Sequence, residues 1–171
     1  MRLPTQAAVL FTLCSIPSML VAQQSSIELG LDGGLEYAFD PDLLTIAAPF
    51  QRFRAAFPSS DRLAIEPSLS FSRFSSNGES LTAMVIRVGA LYDLERERGS
   101  TFVRPFAGFE YADASFGDSE TVFDLGAGIG TRSRLAEQLA LRIEANLTGR
   151  FGEGGTDGVI GATVGLSFFT Q

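Results

Sequence analysis

The chain has 171 residues, 45% of them apolar and 18 of them glycine, which is one domain's length and a composition neither disordered nor fibrous. Its 20 acids outnumber 13 basic residues for a net charge of −7, so there is no electrostatic basis for binding nucleic acid. Every basic residue is Arg; without Lys, His or Trp the chain lacks the side chains most used to move protons or hold transition metals near neutral pH, and no cofactor, metal site or catalytic residue is expected.

The first 22 residues read as a secretory signal peptide: Arg2, an apolar run from Ala7 to Ile16, and a small-residue exit from Ser18 to Ala22. The apolar run is well short of the ~20 residues a membrane-spanning helix needs. Cleavage after Ala22 leaves residues 23–171 as one mature domain without a thiol, because Cys14 is the only cysteine.

From Ile27 onward the pattern has period two, in eight stretches of about ten residues separated by Gly, Pro, Asp, Asn and Ser. The first, Ile27 to Phe39, sets Leu29, Leu31, Leu35 and Tyr37 against Glu28, Asp32 and Glu36. In the second, Leu44 to Phe57, the apolar phase changes between Phe50 and Phe53, which predicts a β-bulge near Gln51. The third and fourth place Leu63, Ile65, Pro67, Leu69 and Phe71, then Met84, Ile86, Val88 and Tyr92, on one face. The fifth carries Val103, Pro105, Ala107, Phe109 and Tyr111, and Pro105, like Pro67 in the third, is expected to need a bulge. In the sixth, Phe123, Leu125, Ala127 and Ile129 oppose Asp124, Gly126, Gly128 and Gly130. The seventh, Leu139 to Thr148, and the eighth, Ile160 to Phe168, alternate cleanly. A turn from Leu135 to Gln138 is the one helix-like candidate. Eight meandering strands joined by hairpins predict an all-β, antiparallel up-and-down barrel.

Alternation alone permits two barrels of opposite sense: a membrane barrel with its apolar face outward, or a soluble periplasmic lipocalin-like carrier with that face around a hydrophobic ligand. Three features favour the membrane barrel. The polar face balances Glu28, Asp32, Glu36, Glu66, Asp93, Glu110, Asp124 and Glu144 against Arg52, Arg54, Arg87, Arg104, Arg132, Arg142 and Arg150, as enclosed ion pairs with the planar guanidinium fork would be. The same face is rich in Gly, as a narrow interior requires. Aromatics gather toward strand ends, with Tyr37, Phe39, Phe71, Tyr111, Phe123 and Phe151 at one rim and Phe57, Tyr92, Phe102 and Phe168 at the other, as interfacial girdles do. The structural charge network expected inside comprises Glu28, Asp32, Glu36, Arg54, Glu66, Arg87, Arg104, Glu110, Asp124, Arg142 and Glu144.

Placing the N-terminus in the periplasm puts the connections at 40–42, 75–80, 113–120 and 152–158 outside, with eight acids and no Arg. Those loops suggest binding of divalent cations. Other motifs are weaker. Gly126-Ala127-Gly128-Ile129-Gly130 lies within a strand, not at a helix N-terminus, and so is no phosphate loop. Asn146-Leu147-Thr148 sits mid-strand, and Gly152 to Gly158 lacks the ligand spacing of a Ca²⁺ site.

Over its mature length the chain resembles the small eight-stranded outer-membrane barrels of the OmpX and OmpA-membrane-domain type. The series Ile160, Ala162, Val164, Leu166, Phe168 resembles that family's C-terminal assembly signal, although the family ends at the aromatic and this chain continues through Phe169, Thr170 and Gln171. The resemblance implies a bacterial outer-membrane location, contact with lipid and lipopolysaccharide, and recognition of the last strand by the barrel-insertion machinery. The balanced inner face and the acidic rim, rather than the resemblance, point to a non-enzymatic structural or surface-interaction role. A lipid-modifying outer-membrane enzyme is the catalytic alternative, but the Ser–His pair such barrels use has no His here; Glu110 or Glu144 would have to serve as base.

Overall fold

A computed structural model describes residues 26–39, 42–76, 79–94, 101–114, 119–152 and 155–170. The predicted signal peptide lies outside them. The described residues form eight strands and no helix: β1 (Glu28–Phe39), β2 (Asp42–Pro58), β3 (Leu63–Ser76), β4 (Glu79–Asp93), β5 (Thr101–Ala114), β6 (Glu120–Ala136), β7 (Leu139–Gly152) and β8 (Gly155–Phe169). Each pairs antiparallel with its neighbours in sequence, and β8 returns to β1, closing the barrel. A closed barrel leaves no sheet edge, which is the condition for strands in hydrocarbon.

Where the apolar phase changes in β2, the ladder shifts: Arg52 lies opposite Asp32 while Ala47 lies opposite Gly34, so residues 48–51 face Gly33 alone. The bulges expected at the prolines are not formed. The β2–β3 register passes unchanged from Arg54↔Ser68 to Phe57↔Ile65, and β4–β5 from Gly89↔Phe106 to Tyr92↔Val103. Pro lacks an N–H, so the ladder lapses beside Pro67 and Pro105 without adding a residue. The helix-like turn is also corrected: β6 runs to Ala136 and Glu137-Gln138 is a two-residue hairpin turn. Gly155, with φ of 125°, closes the β7–β8 hairpin in a conformation that suits only glycine.

The register sets the size of the barrel. Following the register from Glu28 through Ala56, across the lapsed rung to Glu66, and on through Gly89, Phe106, Gly126, Thr148 and Val159 returns to β1 at Ala38, a stagger of ten residues. Eight strands with that stagger, at the usual rise and spacing, tilt by roughly 40° around a backbone cylinder of radius about 8 Å. Such a lumen holds side chains, not a wide aqueous channel.

The two faces sort as a membrane barrel's do. Phe53, Phe109 and Leu147 are 57–59% exposed on the outside, whereas Glu66 and Asp124 are at most 1% exposed within. A lipocalin-like carrier has the reverse arrangement, so the soluble-carrier reading is excluded. Tyr37, Phe39, Phe71, Tyr111, Phe123 and Phe151 face outward at the rim away from the termini, and Phe57, Tyr92 and Phe168 at the other. From Phe168, paired with Leu29, to Phe39 ten residues along β1 is about 25 Å of axial height at this tilt, the thickness of an outer-membrane apolar band. Phe102 does not belong to the girdle: it is fully buried in the lumen. It shares the phase of Arg104, and alternation turns both inward.

The charged lumen as candidate functional site

The residues of the expected network all point inward and are brought together in two tiers. The lower tier, toward the termini, is built around four arginines. Arg54 from β2 donates through Nε to both oxygens of Asp32 at 3.1 and 3.0 Å, through Nη1 to Glu28 at 2.6 Å, and through Nη2 to Ser167 Oγ at 2.6 Å. Ser167 in turn donates to Glu28 at 2.6 Å, tying β8 to β1 and β2 across the closing seam. Arg142 from β7 bridges Glu66 and Glu144, each at 2.6 Å, and Arg104 from β5 donates to Glu144 at 2.6 Å. Arg132 from β6 donates to Glu28 at 2.7 Å and to Asp93. The Arg and Glu side chains of this tier are no more than 5% exposed.

The upper tier is looser and wetter. Arg87 holds Asp124 at 2.8 and 2.6 Å, while Glu36 lies 3.2 Å from Arg150, 3.6 Å from Arg52 and 4.0 Å from Arg87. Arg150 also approaches Glu110 at 3.2 Å. Glu36, Glu110 and Arg150 are about a fifth to a quarter exposed. Glu110 Oε2, Asp124 Oδ1 and Arg150 Nε have no hydrogen-bond partner, against Arg132 Nε alone among the four lower arginines. Ion pairing therefore tightens from the end away from the termini toward the termini.

Two aromatic rings fill the space between arginines. Phe102 lies against Arg142 and Arg132, 4.3 and 5.3 Å from the ring centre, and Phe106 against Arg104 and Arg87 at 4.7 and 5.3 Å. Each contact is worth about 2 kcal/mol where the cation is desolvated. Room for them comes from β6: a Cβ on Gly130 would strike Phe102 and the Ile143 carbonyl, and one on Gly126 would strike Phe106 and the Leu147 carbonyl. Gly128 does the same for Glu144, and Gly30 for Arg54. The alternate glycines of β6 are thus the counterform of the charged and aromatic side chains opposite.

Sequence reasoning did not pick out Ser167, Phe102 or Phe106 as members. The signal was present for the rings, since residues 102, 104 and 106 share one phase. Arg52, Asp93, Arg132 and Arg150 were on the inward face but outside the expected set, and all four make ion pairs. Each carboxylate of the lower tier is held by arginine, and Ser167, whose hydroxyl donates to Glu28, is fully buried. Among the described residues no group of acids is arranged to hold a metal ion.

A model of the outer membrane protein β-barrel domain family matches residues 7–168. The chain belongs to that family. This places the barrel in the bacterial outer membrane, with its apolar belt against lipid. Solved structures agree on the fold. Ail, the attachment invasion locus protein of Yersinia pestis, superposes with a TM-score of 0.56 at 16% identity, over 85% of this chain and 97% of Ail. Neisserial surface protein A superposes with a TM-score of 0.57 at 13% identity, over 83% and 97%. The N-terminal β-barrel domain of OprF from Pseudomonas aeruginosa gives 0.50 at 17% identity, over 85% and 98%. No curated protein sequence matches. At these identities the likeness is one of fold, and the outer-membrane barrel's own lumen and loops must carry any statement of role.

Proposed function

We propose that this protein is a non-enzymatic outer-membrane barrel in which the arginine–carboxylate network acts as a structural plug, and whose contact with the surroundings is made by acidic outer loops. The observation that carries the reading is the lower tier, where four arginines and five carboxylates close the lumen with side chains that are almost fully buried. Planar-bilayer recording tests it: the purified protein is expected to give no large, stable channels, and steady porin-like conductance overturns the plug. A lipid-modifying activity would have to proceed without the Ser–His pair such barrels use, since the chain has no His.

Residues 1–22 serve as a cleaved signal peptide and residues 23–171 as the mature barrel, with both termini in the periplasm. The last strand, ending near Phe168, presents the alternating pattern that the insertion machinery recognises. Here the strand's extension has a place: Phe169 and Thr170 donate backbone hydrogen bonds to Gln138 and Ile27, so the residues past Phe168 help close the seam.

In this orientation the outer connections hold Asp42, Glu79, Asp113, Glu120 and Asp157 among the described residues, while Asp40, Asp118 and Glu153 lie outside them. Ail has been crystallised with the heparin analogue sucrose octasulfate. Loops with eight acids and no Arg repel such a polyanion, so this chain's surface partner is cationic or cation-bridged. Divalent cations shared between the loops and lipopolysaccharide phosphates meet that requirement. Chelator is expected to lower the temperature at which the heat-modifiable folded form is lost in lipopolysaccharide-containing vesicles, and Mg²⁺ or Ca²⁺ to restore it; indifference to both removes the cation bridge.

A further inference from the structure

The lipid-facing wall is not uniformly convex. Across β8, β1, β2 and β3 the outward residues form one row, in which Phe168 pairs with Leu29, Leu29 with Ala55, and Pro67 stands opposite Ala55. The next row runs Leu31, Phe53, Leu69 and Ile86. The first row starts large and then drops to two short side chains, so a trough of about 650 Å³ opens over Ala55 and Pro67. Phe53 and Ile86 form one bank, Leu29 and Phe168 the other, each 45–57% exposed. The floor coincides with the rung where Pro67 interrupts the ladder.

We propose that this trough is a binding site for one acyl chain of a periplasmic-leaflet phospholipid. The proposal rests on the orientation given above, because Phe168 and Leu29 belong to the half of the barrel nearest the termini. Three observations select this occupant. The trough starts at the girdle residue Phe168 and extends over Ala55 and Pro67 into the apolar belt, where the surrounding medium is hydrocarbon. The surface it exposes is overwhelmingly apolar, with Arg54 and Ser68 turned to the lumen beneath it, which suits methylene groups better than a headgroup or an aqueous ligand. It is also an open depression in a strongly curved cylinder of about 8 Å radius, on which the rigid wall of a second copy makes a small contact, well short of the ~800 Å² per partner of a stable interface. A chain in the trough is contacted on its floor and both banks, gaining dispersion contacts that a chain on the convex wall lacks.

The absence of Trp makes the test clean. Single reporters Phe53→Trp on the bank and Leu147→Trp on the far wall are folded into vesicles in which bromine-chain phosphatidylethanolamine progressively replaces the unlabelled lipid. Half-quenching is expected at a roughly threefold lower mole fraction for Phe53→Trp than for Leu147→Trp, and adding Ala55→Phe, which fills the floor, is expected to abolish the difference. Coincident curves for the two reporters overturn the site, as does a bank reporter that resists quenching while cross-linking shows dimers. If Phe53→Trp fails to fold, Leu29→Trp replaces it, and native mass spectrometry of the unaltered protein is expected to retain one phospholipid. Orientation is read separately, by impermeant maleimide labelling of Gln138→Cys in whole cells. Labelling there overturns the periplasmic leaflet while the quenching result stands, whereas labelling only after permeabilisation supports it.

Discussion

Arg142→Leu is expected to lower the unfolding free energy of the barrel by about 3–5 kcal/mol, the usual cost of removing one partner from a buried ion pair. Arg142 is 2% exposed and is the closest partner of Glu66, at 2.6 Å; the next arginines, Arg104 and Arg54, stand 3.5 and 3.6 Å away. Leucine therefore leaves Glu66 charged, enclosed and weakly compensated, and it also removes the cation from the face of Phe102. Glu144 suffers less, because Arg104 still holds it at 2.6 Å. Adding Glu66→Gln to Arg142→Leu should recover a substantial part of the loss, since it removes the stranded charge rather than replacing the bond. Urea unfolding in vesicles reads both effects. An unchanged midpoint for Arg142→Leu removes the network's structural role, and a double variant no better than the single one shows that the cost is packing rather than charge.

Val88→Arg is expected to cost about 2–4 kcal/mol, from placing a guanidinium on the lipid face near the bilayer midplane. Val88 is 51% exposed on the outside of β4, midway between Tyr92 at one girdle and Met84, which pairs with Tyr111 at the other. The same residue introduced at Leu94, at the rim, should cost only about 0–1 kcal/mol, because there the cation reaches the interface. This dependence on depth separates hydrocarbon contact from a general dislike of charge on a strand. Equal costs at the two positions, measured by unfolding in the same vesicles, would remove the assignment of this face to the bilayer core. Arginine is the informative substitution, since the inward face, one residue along the same strand, carries Arg87 enclosed and paired with Asp124.

Much of this was legible in the linear pattern, because a strand has a period of two and eight alternating stretches leave little choice of architecture. The inward set of acids and arginines follows from that period, as does the break in β2, where a change of phase has no other simple cause. Net charge and the lack of His bounded the chemistry before any fold was known. The pairing inside the lumen was not legible. Period two assigns a face but not a height, and the height of each residue depends on a stagger that accumulates around all eight strands. Only the closed register brings Arg54 of β2 to Ser167 of β8 and Arg142 of β7 to Glu66 of β3, residues separated by 113 and 76 positions. The same holds for Phe102 and Phe106, whose rings fit because glycines of β6 stand beside them, and for the trough over Ala55 and Pro67. By itself the sequence determined which side of each strand is greasy, since that is a local property of alternating residues; which charges meet, and where the wall is hollow, were decided only when the barrel closed.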